Sequence, residues 1–255
     1  MIELDTIYNE DCITGMQRIP DGSVDCIICD LPYGITGNQW DCVIPFDKLW
    51  EAYKRVLKPD AAVVLFGSQP FTSALVMSNP KWFKHEWIWQ KNRGSNFGTV
   101  KFGPMREHEN VLVFSNGRLP YHPQMQERAE SGKERRQYDV QFSTHSTNYA
   151  ESLRKNIGRY ELSELRHPSS VQKFNTSCGA DHVHPTQKPV DLIAYLIRTY
   201  SNPGDTILDN TIGSGTTAVA ALREKRHFIG FELNRDYYDI ALRRIKLEQQ
   251  QQTLF

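Results

Sequence analysis

The chain has 255 residues, 39% of them hydrophobic and 24% charged, which is the make-up of an ordinary globular protein with room for one large core and an insert. Basic and acidic residues balance at 30 each, so the overall charge by itself argues neither for nor against a polyanionic partner. No apolar run approaches the ~20 residues of a membrane span, and the opening MIELDTIYNEDC lacks the basic and apolar regions of a signal peptide, which predicts a cytoplasmic protein with reduced thiols.

Residues 24–29 read as a strand buried on both faces, and residues 45–57 as an amphipathic helix. Cys26 and Cys29 form a C-x-x-C inside that strand. Without a second ligand pair or an exposed helix start, they are assigned to packing, and no metal site is predicted. A second buried strand spans 61–66, broken by Gly67-Ser68-Gln69-Pro70 before a helix toward Met77. Further strands are expected over 86–90 and 110–114. Residues 189–200 place apolar side chains at 192, 193, 196 and 197, one face of a helix. The turn Asn202-Pro203-Gly204 then leads to a strand over 206–208, a helix over 216–223, a strand over 227–231 and a charged helix over 236–248. The glutamine run 249–252 reads as a frayed end. Strands alternating with helices predict an α/β fold with a doubly wound, mostly parallel sheet.

Three segments follow, 1–90, 91–182 and 183–255. The middle one is rich in Ser, Asn, Gln, Arg and Gly and holds 14 Lys+Arg against 10 Asp+Glu, so it is formally +4 and the remainder −4. A solvated insertion and a nucleic-acid-binding module both fit that charge. Its five histidines show no metal-ligand spacing. Lys91-Asn92-Arg93, Arg135-Arg136 and Arg154-Lys155 are candidates for phosphate or base-edge contacts, with solvated loops as the alternative. Trp40 is read either as packing or as a cover over the substrate.

Three motifs carry chemistry. Asp30-Leu31-Pro32-Tyr33-Gly34 follows the first buried strand. An exocyclic amino group of adenine or cytosine is a poor nucleophile, because its lone pair is delocalised into the ring. Acceptors on both its N–H bonds, here the Asp30 carboxylate and the Leu31 carbonyl, favour a pyramidal nitrogen and stabilise its developing positive charge. Pro32 stiffens the turn, and Tyr33 offers a flat face for a base drawn out of its duplex. A strand-ending turn with a packed Tyr is the plainer reading of those residues alone. Asp209-Asn210-Thr211-Ile212-Gly213-Ser214-Gly215-Thr216-Thr217 joins a strand to a helix, and Glu232 ends the next strand, 17 residues past Gly215. That loop alone also fits a nicotinamide dinucleotide site, but it lacks the lysine of a P-loop. His184-Pro185-Thr186-Gln187-Lys188-Pro189 opens a helix, where free N–H groups and Lys188 suit a carboxylate-bearing cofactor or ordinary capping.

In this order, the motifs resemble those of the beta class of amino-methylating DNA methyltransferases. Asp30 to Tyr33 is similar to that family's Asp-Pro-Pro-Tyr motif, with Leu31 for the first proline. His184 to Pro189 matches its His-Pro-Thr-Gln-Lys-Pro segment. Asp209 to Gly215 resembles its Asp-Pro-Phe-x-Gly-Ser-Gly loop, with Asn210-Thr211 for Pro-Phe. Asp-Leu-Pro-Tyr-Gly followed by Trp40-Asp41 looks like a phage-associated branch. The resemblance covers roughly 1–90 and 183–255 and implies a Rossmann-like fold in permuted order, with a target-recognition region at 91–182. It implies S-adenosyl-L-methionine as cofactor, held by Asp11, Cys12, His184, Thr186, Gln187, Lys188, Asp209, Asn210, Thr211, Gly213, Ser214, Gly215, Thr216 and Glu232.

The reaction it implies is direct in-line methylation of adenine N6 in double-stranded DNA, on a flipped base. Asp rather than Ser at position 30 favours adenine N6 over cytosine N4. Cytosine N4 and an RNA or protein amino group are the alternatives, along with a DNA-binding regulator that lost activity, which the intact Asp30, Tyr33, Gly213 and Gly215 oppose. Cytosine C5 chemistry needs a Pro-Cys nucleophile, and none of the five cysteines follows a proline. Family habit adds a homodimer and a cognate restriction enzyme as expected partners.

Overall fold

The computed structural model describes residues 2–34, 42–129, 164–176 and 187–252. They form strands β1 (Thr6–Tyr8), β2 (Val24–Cys29), β3 (Leu57–Gly67), β4 (Phe83–Gln90), β5 (His108–Ser115), β6 (Gln126–Glu127), β7 (Leu165–Arg166), β8 (Val171–Lys173), β9 (Thr206–Asp209) and β10 (His227–Phe231). The helices are α1 (Cys12–Met16), α2 (Phe46–Val56), α3 (Phe71–Ser78), α4 (Val190–Tyr200), α5 (Thr216–Arg223) and α6 (Arg235–Gln252). Eight strands make one sheet in the order β1-β10-β9-β2-β3-β5-β4-β8. Among the described residues β5 alone runs against its neighbours; every other adjacent pair in this sheet is parallel. The fold is therefore the α/β, mostly parallel arrangement expected from alternating strands and helices.

Strand β2 is apolar on both faces because both are covered. Cys26 and Ile28 point into a core with α4, α5 and Ala241 of α6, while Ile27 and Cys29 point into a second core with α1, α2 and α3. Each buried isoleucine contributes roughly 1.5–3 kcal/mol. The C-x-x-C spacing thus puts its two thiols on opposite faces of the sheet, and burial pushes both well above the usual thiol range. Helix α2 buries Leu49, Trp50, Tyr53 and Val56, the i, i+1, i+4, i+7 face that its sequence pattern draws. In α5 the small residues Ala218, Ala220 and Ala221 are buried, which lets the helix lie close to its neighbours.

The sequence expectation misplaced the start of one central strand and missed two short strands, each for a physical reason. Strand β3 begins at Leu57 rather than 61, with a register irregularity that falls where Pro59 and Asp60, at a φ of 64°, interrupt the apolar pattern. Strands β1 and β8 have three residues each, too short to show a period. Both β5 and β8 lie within 91–182 and belong to the large sheet. A separate compact unit comprises Pro123–Ser169, where β6 pairs antiparallel with β7 and the Arg128 N–H donates to the Glu164 carbonyl at 3.1 Å. No helix among the described residues is long and apolar enough to cross a membrane.

Candidate active site

The chain leaves β2 toward β3 on one side and β9 toward β10 on the other. The point where strand order reverses therefore lies between β2 and β9, where open α/β sheets bind ligands beyond their carboxyl ends. A cavity of about 1060 Å³ occupies that edge. It is lined by the segments that follow β1, β2, β4, β9 and β10, and by Glu109 at the start of the reversed strand β5.

Asp30 sits one residue past β2, with 26% of its side chain open. Its Oδ1 accepts from the Tyr33 hydroxyl at 2.6 Å and its Oδ2 from Lys188 Nζ at 2.5 Å. Burial raises the Asp30 carboxyl above the usual range, Lys188 draws it down, and Glu109 pushes it up again. The Tyr33 ring rests against Phe71, with centroids 5.0 Å apart, and burial beside Asp30 raises its phenol well above the ordinary value. Leu31 is buried and Pro32 lines the cavity beside it.

The loop after β9 is tied to this segment. The Thr211 hydroxyl donates to the backbone carbonyl of Asp30 at 2.9 Å and pairs with Cys29 Sγ at 2.9 Å. Asn210 Oδ1 accepts from the Tyr53 hydroxyl at 2.5 Å, and its Nδ2 reaches Cys12 Sγ at 3.6 Å. Burial lifts the Cys12 thiol to about 11, which keeps it protonated. Asp209 is buried and accepts from the Thr211 N–H at 3.1 Å; burial lifts its carboxyl to about 7 against the lowering hydrogen bonds. Gly213 adopts a φ of 54°, and a Cβ there would meet nothing within 4 Å. Its N–H donates to Glu232 Oε2 at 2.9 Å, and Glu232 Oε1 accepts from the Asn234 N–H at 2.7 Å. Arg244 of α6 braces the loop through the carbonyl and hydroxyl of Ser214 and the hydroxyl of Thr216.

Most of the residues singled out in the sequence meet in this cavity. Asp11, Cys12, Asp30, Leu31, Pro32, Tyr33, Lys91, Arg93, Gln187, Lys188, Asp209, Asn210, Thr211, Gly213, Ser214, Thr216 and Glu232 all line it. Gly215 does not; its φ of 83° serves a close approach to Ala241 beneath the loop. Asp11 caps α1 by accepting from the Thr14 N–H at 2.9 Å. Asn92 does not line the cavity, and its Oδ1 accepts from the N–H and hydroxyl of Thr176 at 2.8 and 2.9 Å. Lys91, read as a phosphate contact, turns inward to Glu109, and the Lys188 ammonium, read as a cofactor contact, lies between Asp30 and Glu109. Buried ammonium groups take the nearest carboxylates. Trp40, Asp41, Arg135, Arg136, Arg154, Lys155, His184, Pro185 and Thr186 lie outside the described residues.

Sequence reasoning missed Glu109, Tyr53 and Arg244. Glu109 is a single acid near the start of a mainly apolar strand, and Tyr53 and Arg244 sit on helices outside the motifs, so no local pattern marks them.

The family model described as DNA methylase, for N6 and N4 enzymes, matches residues 24–243. The Type II methyltransferase M1.MboII of Moraxella bovis is 27% identical over 266 residues, covering 94% of this chain and 96% of its own. Among solved structures, the complex of M1.HpyAVI with SAM aligns with a TM-score of 0.63 at 21% identity, over 94% of this chain and 98% of that one. The cytosine-N4-specific PvuII DNA methyltransferase aligns at 0.65 and 16% identity, over 94% and 85%. With the family model spanning most of its length and the Asp30-Leu31-Pro32-Tyr33 and glycine-loop segments facing one cavity, the chain belongs to the N6/N4 DNA methylase family, whose methyl donor is S-adenosyl-L-methionine.

Proposed function

We propose that this protein methylates the N6 amino group of adenine in double-stranded DNA. The observation that carries the reading is the meeting of Asp30-Leu31-Pro32-Tyr33 with the 209–216 loop in one cavity at the strand-order reversal. The cavity fits the donor. At about 1060 Å³ it exceeds the room a drug-sized ligand needs, Gly213 leaves open space where any side chain would project, and Glu232 lies at its wall as an acceptor for ribose hydroxyls. Gly213, Ser214, Thr216, Asp11 and Glu232 would hold S-adenosyl-L-methionine, which supplies an electrophilic sulfonium methyl when bound.

The chain's own residues prepare the nucleophile. Asp30 accepts one N–H of the amino group and the Leu31 carbonyl the other, so the nitrogen becomes pyramidal and its growing positive charge is met by preorganised acceptors. Thr211 fixes the backbone of Asp30 and thereby the aim of both acceptors. Tyr33 offers its ring to the flipped base once its hydroxyl leaves Asp30. Cys12, Cys26 and Cys29 are held as thiols by burial and supply no nucleophile. Target recognition is assigned to 91–182, whose loop carries Arg93 and Arg106 to the cavity.

The test is methylation with labelled cofactor on duplex DNA, RNA and protein, followed by digestion of the DNA to nucleosides. N6-methyladenine is expected. N4-methylcytosine as the sole product would move the target base, and incorporation confined to RNA would overturn the DNA assignment.

A further inference from the structure

Because β5 runs against its neighbours, its first residues reach the same sheet edge as the ends of β2 and β4. Glu109 uses that position to join the site. One carboxylate oxygen pairs with Lys91 Nζ, and the other lies 3.2 Å from Lys188 Nζ, which in turn holds Asp30. All but Asp30 are nearly closed off, with side-chain exposures of 9% for Lys91, 15% for Glu109 and 8% for Lys188. Two carboxylates and two ammonium groups thus alternate along one buried line and sum to zero charge.

We propose that Glu109 is a positioning residue of the methyl-transfer site, sharing Lys188 with Asp30 so that the Asp30 carboxylate stays available to the substrate amino group. The inference rests on the amino-methylation reading above. Lys188 has three N–H bonds and two acids to divide them between. Remove one acid and the ammonium turns wholly onto Asp30, which becomes a weaker acceptor for the amino group. The directions agree: the Glu109 charge raises the Asp30 carboxyl, and Lys188 lowers it. Tyr33, Asp209 and Cys29 also face Asp30, and Lys91 faces Glu109.

Glu109→Gln keeps the shape and removes the charge. Methyl transfer needs Asp30 ionised, so the acid limb of the single-turnover rate on duplex DNA follows Asp30. In Glu109→Gln that limb moves to lower pH, and the plateau rate falls roughly tenfold, one decade of the ~10²–10⁴ that a positioned acid–base group supplies. Glu109→Asp recovers part of both. Lys91→Met gives the opposite displacement, because Glu109 then holds Lys188 more firmly and Asp30 less so. A parallel ¹³C-carboxyl NMR titration of Asp30, assigned by its loss in Asp30→Asn, reads the same shifts without any substrate. A purely structural role would lower stability and leave both titrations unmoved. An Asp30 titration at its wild-type position in Glu109→Gln, or in Lys91→Met should the first variant not fold, overturns the proposal. A wild-type chain inactive on DNA, with the Asp30 titration still displaced in Glu109→Gln, overturns the DNA assignment and retains the coupling.

Discussion

Gly213 and Gly215 are two residues apart in one loop, both in the left-handed region at φ 54° and 83°, yet alanine should fail at each for a different reason. At Gly215 a new Cβ would lie 2.9 Å from the Cβ and 3.1 Å from the Cα of Ala241; at Gly213 it would meet nothing within 4 Å. Left-handed backbone costs an alanine ~1–2 kcal/mol at either site. Forced packing against α6 adds ~1–3 kcal/mol at Gly215 alone. Gly215→Ala therefore destabilises by about 2–5 kcal/mol, a Tm loss of roughly 4–20 °C for a chain of this size. Gly213→Ala loses only about 2–8 °C on the same scale. Cofactor affinity should show the reverse order. The methyl added at Gly213 projects into the cavity and weakens S-adenosyl-L-methionine by about tenfold, ~1.4 kcal/mol. Thermal unfolding and titration calorimetry on the two variants read both quantities. The reasoning fails if Gly215→Ala is the milder variant in Tm, or if Gly213→Ala binds the cofactor as the wild type does.

Other expectations follow from single contacts. Asp30→Ala should bind cofactor normally and lose methyl transfer by about 10²-fold or more; wild-type turnover would refute its catalytic role. Tyr53→Phe removes the 2.5 Å donor to buried Asn210 and should cost ~1–3 kcal/mol, seen as a lower urea midpoint; an unchanged midpoint would exclude that bond as a support of the loop. Asp209 holds its proton up to about pH 7 in the fold, against an ordinary 3.8. Its contribution to stability is thus fully present below pH 3.8 and lost as pH rises through 7. Asp209→Asn should flatten that fall, and equal slopes of unfolding free energy between pH 4 and 8 in both proteins would contradict the buried, protonated state.

The central strands were legible because they are buried on both faces. The run at 24–29 has no polar face to confuse the reading, and Pro189 and Gly215 mark where α4 and α5 begin. The glycine loop was legible because its glycines, its preceding strand and its following helix are contiguous. Contiguity is also the limit. The charge line Asp30-Lys188-Glu109-Lys91 draws on four separate segments, and only the sheet order, with β5 reversed between β3 and β4, brings them together. Reading Lys188 from its motif offered it to a cofactor carboxylate or to capping; in the fold it lies against the carboxylates of Asp30 and Glu109.

The departure at Asn210-Thr211 also draws on contacts between separate segments. A Pro-Phe pair would offer no side-chain donor at these positions. In this chain each residue instead forms polar contacts across the loop, Asn210 to Tyr53 and Cys12, Thr211 to Asp30 and Cys29. The Thr211 bond joins the loop after β9 to the backbone of the Asp30 segment after β2, across the point where the strand order reverses. An apolar side chain would fill space there, whereas a hydroxyl also fixes the direction of the Asp30 carbonyl and, with it, the turn that aims the Leu31 carbonyl. Thr211→Val, nearly isosteric and without the hydroxyl, isolates that effect. It should reduce the methylation rate while leaving cofactor affinity within about threefold, ~0.7 kcal/mol. A variant with both quantities intact would show that the two segments hold their alignment without the bond.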